Sequence, residues 1–188
     1  SNTSPSYDYA LLGFNTERVR GRYFHGFLES KNEINRYITG RGIEWNNNYN
    51  LVMSLSEVVI YSGKNRPMDF SYFNPFLSHL EIELNDRQNN EGTDSGNAVW
   101  QFSTTYKIKK NLIISSNFLI DEYKLDKLQI DSNLVNSLGW AGKILWSFEL
   151  KNNDILSLYC SNITIGTYTF SHEDGYNNFT QRNKPLGW

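Results

Sequence analysis

Apolar and polar residues alternate over stretches of about ten residues, and this period of two limits the fold more than any other feature. In AVWQFSTTYKIKKNLIISSNFLID, residues 98–121, Trp100, Phe102, Tyr106 and Ile108 fall on one side of an extended chain, interrupted by Thr104. Gln101, Ser103, Thr105, Lys107 and Lys109 fall on the other. The pattern returns at 140–150, where Trp140, Ile144, Trp146, Phe148 and Leu150 share a side with Gly142. Gly139, Ala141, Lys143, Ser147 and Glu149 oppose them, joined by Leu145. A helix would scatter both sets around its circumference, so these stretches are strands and the chain is all-β.

Asn-rich runs punctuate the strands: NNNYN at 46–50, NDRQNN at 85–90 and KNND at 151–154. Asn tolerates left-handed backbone and so suits turns. The spacing predicts strands over 7–14 and 19–30, then hairpins 34–45/51–62, 98–108/112–121 and 138–150/155–170. Segments 63–71, 84–97, 124–135 and 171–188 read as surface loops. Residues 1–188 form one domain or barrel portion, with 1–6 as a flexible lead-in.

The unsettled matter is which solvent the aromatic side meets. A β-sandwich strand and a membrane-barrel strand share the same period. The 12 Tyr, 11 Phe and 5 Trp favour the membrane, because amphipathic rings collect at its interfaces. Lys, Glu, Gln and Ser in mid-strand on the opposite side suit a wet lumen. A mean hydropathy of −0.55 is compatible with this, since barrels are polar inside and carry polar loops. A net charge of −2 and scattered Lys and Arg give no reason to expect a nucleic-acid partner. The single Cys160 rules out an intrachain disulfide, and no apolar run reaches the length of a spanning helix.

Several phrases stand in an order that resembles a known family. They are RYITGRGIEW…LVMSLSEVVIYSGKNRPMDFSYFNPF, then SSNFLIDEYKLDKLQID, then GWAGKILWSFEL…LSLYCSNITIGTYTF…YNNFTQRNKPLGW. From about Val19 to the last residue, the series is similar to the Wzi-like capsule-assembly proteins of Gram-negative bacteria. The resemblance implies an antiparallel transmembrane β-barrel in the bacterial outer membrane, plugged or narrowed inside. It also implies a lectin-like, non-catalytic role in binding surface polysaccharide and supporting capsule assembly. Outer-membrane lipid and other outer-membrane proteins are the further partners expected. The chain is shorter than the family barrel and ends at PLGW without a closing strand, so the expectation is a large part of a longer barrel.

The candidate polysaccharide-binding residues are Arg18, Arg20, Arg22, Glu57, Tyr61, Asp121 and Tyr123. Arg18, Arg20 and Arg22 recur at period two and would form a basic stripe in the lumen that grips sugar carboxylates. The alternative is a charge ladder against acids on neighbouring strands. Glu57 shares the side of Leu51, Met53 and Leu55, where an acid is costly unless paired. A bulge just before it would return it to the lumen beside one of the three arginines. Glu57 and Asp121 could be cast as a glycosidase pair, but no spacing demands it. Tyr61, Tyr72, Phe73 and Tyr123, near loop boundaries, could stack on sugar rings or simply pack their loops. His25, His79 and His172 lack metal-pair spacing, so neither a metal nor a cofactor is expected. A porin-like or structural component of an outer-membrane complex and a soluble secreted β-sandwich carbohydrate-active protein are the competing readings.

Overall fold

The computed structural model describes residues 6–79, 96–122, 137–149, 155–165, 176–182 and 184–186. For 121–122, 137–149, 155–165 and 184–185, only the backbone path is described. Eight antiparallel strands form one sheet in chain order. They are β1 (Asp8–Asn15), β2 (Val19–Lys31), β3 (Ile34–Asn46), β4 (Leu51–Lys64), β5 (Asn97–Lys109), β6 (Leu112–Glu122), β7 (Ser137–Glu149) and β8 (Ile155–Ile165). A small ribbon, β9 (Thr180–Gln181) with β10 (Lys184–Pro185), stands apart. Each predicted strand is found, with most ends within two residues of the expected ones. The sheet is not closed: β1 and β8 are its two edges, with no pairing between them among the described residues.

The connections are unequal. At one end of the sheet they span 16–18, 47–50, 110–111 and 150–154; at the other, 32–33, 65–96 and 123–136. The short turns follow from Asn chemistry. Asn47 Oδ1 accepts from the backbone N–H groups of Tyr49, Asn50 and Leu51 at 2.9–3.0 Å, and Asn48 has φ 59°. Asn32 and Glu33 both have positive φ, the backbone that a two-residue hairpin requires.

Register sorts the side chains onto two faces. One, the apolar face, carries Phe14, Ile43, Leu55 and Phe102 in one row, with Leu12, Tyr23, Arg41, Glu57 and Trp100 in the next. The other, the polar face, carries Arg20, Arg22, Glu44, Ser54, Ser103 and Thr105. Cross-strand hydroxyl and amide pairs stitch it: Ser54 with Ser103, Thr105 with Ser115 at 3.1 Å, and Gln101 Nε2 to Asn117 Oδ1 at 2.9 Å.

Two segments cover the long-loop end. Residues 65–79, with a single 3-10 turn at Phe70–Phe73 capped by Asp69, lie across the apolar face. There Tyr37, Val59, Tyr61 and Tyr72 form a buried cluster. Residues 176–186 lie across the opposite face, where Phe179 and Leu186 pack against Leu28, Ile38 and Ile60. Arg36 holds this second segment through the carbonyls of Tyr176, Asn178 and Thr180, and reaches Glu29 Oε1 at 2.7 Å. The expected surface loop at 171–188 is therefore corrected in part: Asn177 and Gln181 are fully buried. Polar side chains can be interior when their amides are bonded, as Asn177 Oδ1 is by Ser62 Oγ at 2.7 Å.

Towards the short-turn end the apolar face is bare. Phe14, Ile43, Leu55, Phe102, Tyr106 and Ile114 are all exposed, Phe102 at 40% and Tyr106 at 43%. No second stacked sheet covers them among the described residues.

Candidate functional site

The polar face of β1–β4 forms a groove of about 680 Å³. Its floor lies low because Gly40, Gly42 and Ser56 project little, and the Phe24 ring lies over Gly40 where a Cβ would collide with it. Tyr7, Tyr9 and Phe24 supply aromatic walls at one end, while Arg20, Arg22 and Glu44 line the other. The rings meet at angles, Tyr7 with Tyr9 at 5.8 Å and Tyr9 with Phe24 at 6.3 Å, so they present both edges and faces. Burial, and then neighbouring Tyr9, raise the Tyr7 hydroxyl above its usual pKa, leaving it a neutral donor.

Arg20 Nη1 meets Glu44 Oε1 at 3.4 Å, which makes the charge-ladder reading correct for that pair. Arg22 is exposed in the same groove and makes no ion pair among the described residues. Arg18 lies in the 16–18 turn rather than on the strand, so the stripe has two members.

A second constellation lies under residues 65–79 on the apolar face. Tyr37, Tyr61 and Tyr72 stack, with centroids 5.0 and 4.1 Å apart, and the Arg66 guanidinium sits 4.9 Å from the Tyr61 ring centre. His25 stacks on Phe73 at 4.2 Å. The hydrogen bonds fix its tautomer. Tyr23 Oη gives its one proton to the carbonyl of Tyr72 at 2.8 Å, so His25 Nδ1 must donate to Tyr23 Oη at 3.2 Å. His25 Nε2 then accepts from Tyr61 Oη at 2.9 Å, and Tyr61 Oη accepts from the Asp69 N–H at 3.3 Å. Only a neutral imidazole satisfies every member.

Glu57 also belongs here, which overturns two expectations. No bulge precedes it: the β3–β4 register runs unbroken from Ile34↔Lys64 to Asn46↔Val52. Its partner is not one of the three arginines but Arg41, directly opposite, with Nε 2.9 Å from Oε2. That N–H does not point at the oxygen, so the contact is Coulombic without being a formed hydrogen bond. Glu57 Oε1 accepts from the His79 backbone N–H at 3.0 Å, and Arg41 Nη1 donates to the Asn74 carbonyl at 3.0 Å. An ion pair on the apolar face is thus made tolerable by the covering segment.

Tyr61 is corrected as well. Its ring is fully buried between Tyr37 and Tyr72, so neither face can receive a sugar, and the loop-packing reading holds for Tyr61 and Tyr72 alike. The backbone of Asp121 sits at a register shift between Ile120 and Glu122; its side chain, and all of Tyr123, lie outside the described residues. Glu57 is therefore locked in packing, and no described geometry makes it half of a glycosidase pair. Reasoning from sequence missed Tyr9, Phe24 and Arg41. The last was signalled, since Arg41 interrupts the alternation of Ile43 and Trp45 as Glu57 interrupts that of Met53 and Leu55.

Comparison with protein-family models, with curated proteins and with solved structures returns no match.

Proposed function

We propose that this sheet is part of an outer-membrane β-barrel that binds surface polysaccharide on its polar, lumen-facing side and supports capsule attachment without covalent chemistry. The supporting observation is the sorting of faces at the short-turn end. Large apolar side chains stand open to solvent on one face, while Ser, Thr, Gln and Arg pair across strands on the other. In water alone such a face is a liability; against lipid it is the required surface. The two longest connections, 65–96 and 123–136, leave the same end of the sheet, an asymmetry that such barrels also show. Closure pairs the β1 and β8 edges, with each other or with further strands, since lipid leaves no backbone group unpaired.

The polysaccharide reading rests on the groove and on the Wzi-like resemblance. Tyr9 and Phe24 offer apolar ring surface to sugar C–H faces, and Arg22, without an ion pair among the described residues, offers its guanidinium to an anionic substituent. Weak single contacts suffice for a repeating polymer, because each bound repeat raises the local concentration of the next. The test is polysaccharide retention by cells carrying Arg20→Ala/Arg22→Ala at unchanged protein level. Retention falls if the groove binds glycan; unchanged retention contradicts the role. A conducting pore in planar bilayers, together with no glycan binding, would favour a porin-like component instead.

A further inference from the structure

We propose that the groove recognises a hexuronate residue of the polymer, with the sugar ring laid on Phe24 and its carboxylate held by Arg22, and that Gly40 positions Phe24 for this task. This deepens the polysaccharide reading above and rests on it. Phe24 lies over Gly40, where an added Cβ would collide with Cε1, Cζ and Cδ1 of the ring. Tyr7 lies over Gly26 in the same manner, its Cδ2 and Cε2 standing 3.0 and 3.1 Å from where a Cβ would be. Each glycine removes the side chain that would prop its ring away from the sheet. Phe24 also packs against the buried cluster of Leu28, Ile38 and Ile60, and stays half-buried. Tyr9, 60% exposed, stands across it at 77°. A low ring with an upright one beside it makes a corner, the first for the C–H face of a pyranose and the second for its edge.

Arg22 sets the chemistry at the open side of that corner. Residues 22 and 24 share one side of β2, so their Cα atoms stand about 7 Å apart, and an arginine spans that distance to the rim of a sugar stacked on Phe24. Glu44, the acid among the described lining residues of the groove, is held by Arg20 at 3.4 Å, whereas Arg22 has no ion pair among the described residues. One anionic group is therefore called for, and a carboxylate fits it better than an ester. The carboxyl carbon of a hexuronate is bonded to the sugar ring itself, so stacking on Phe24 fixes its direction, and a planar guanidinium grips a directed carboxylate through two parallel bonds. A sulfate or phosphate swings on a linking oxygen and gains nothing from the platform. The groove also continues past the rings: Ser6 and Tyr7 are shared with a further hollow of about 300 Å³, so an internal residue of a chain can lie on Phe24 with its neighbour beyond Tyr7.

The experiment titrates the full chain, in a non-ionic detergent without sugar headgroups, with an octagalacturonate, with the same octamer after its carboxyls are reduced to alcohols, and with that neutral octamer bearing sulfate esters. Calorimetry gives the affinities. The expected result is about tenfold tighter binding of the uronate than of either other form. Arg22→Gln removes that preference and leaves binding of the neutral octamer unchanged. Gly40 pairs with Phe24 and Val58 on ordinary strand backbone that alanine adopts freely, so Gly40→Ala acts through the ring it displaces. It weakens the uronate and neutral octamers alike, by roughly fivefold, and Phe24→Leu, which brings no clash at Gly40, does the same. Equal affinity for the three octamers, or a preference for the sulfated one, contradicts the hexuronate assignment while the polysaccharide reading stands. Undiminished binding by Gly40→Ala and Phe24→Leu, each folded by circular dichroism, contradicts the platform. If no octamer binds, the assignment is wrong, and polysaccharide retention by the Arg20→Ala/Arg22→Ala cells decides the wider reading separately.

Discussion

The two ends of the same strands live in different surroundings. At the long-loop end both faces are covered. Residues 65–79 seal Tyr61 against the apolar face, and Arg36 clasps residues 176–181 on the other. At the short-turn end neither face is covered by the described residues, and the sheet shows aromatic and branched side chains on one side and small polar ones on the other. Strands β3 and β4 run through both regions with one alternation, so the pattern of residues is continuous while the environment is not. A period of two says which residues share a side; what that side touches is decided by segments far away in the chain.

The contrast can be broken most severely at the covered end. Tyr61→Ala removes the central ring of the stack and the hydroxyl that satisfies His25, and it is expected to cost about 3–5 kcal/mol in denaturant unfolding. Early proteolytic cleavage within 65–79 should accompany it. Arg36→Ala strands three part-buried carbonyls and Glu29, and is expected to cost about 3 kcal/mol, with release of residues 176–182 detectable by amide exchange. Acidification acts on the same region more gently. Because the network accepts only neutral His25, lowering the pH below the usual histidine range near 6.5 draws protons to the opened state and weakens attachment of 65–79. Amide exchange at Asp69 and Tyr72 should speed up as pH falls, after correction for intrinsic rates, and His25→Phe should flatten that dependence. At the bare end, Arg20→Ala is expected to change stability by less than about 0.5 kcal/mol, since its pair with Glu44 is exposed.

Strand positions were legible because β-branched and aromatic alternation and Asn turns are local signals, and the turn at 46–50 is held by its own asparagines, Asn47 above all. The Glu57 site was not legible in the same way. An acid on an apolar side suggested a bulge, because the covering segment that makes burial bearable lies eight or more residues later and acts through the His79 backbone. Arg41 was the missed clue: two charges interrupting two adjacent apolar alternations are most simply each other's partners. Tyr61 misled for a related reason. A tyrosine near a strand end looks available to ligand, but its availability depended on where Tyr72 would come to rest. The groove's Tyr9 and Phe24 became visible only once β1 and β2 were in register.

The central claim is that the side of Phe102 meets hydrocarbon and the side of Ser103 meets water. Folding stability in phospholipid vesicles, measured from urea for Phe102→Arg and Ser103→Arg, tests it most directly. The prediction is a cost of about 2–4 kcal/mol for Phe102→Arg and clearly less for Ser103→Arg, because a guanidinium is penalised in the bilayer and hydrated in a lumen. Equal costs, or a larger one at Ser103, would contradict the account.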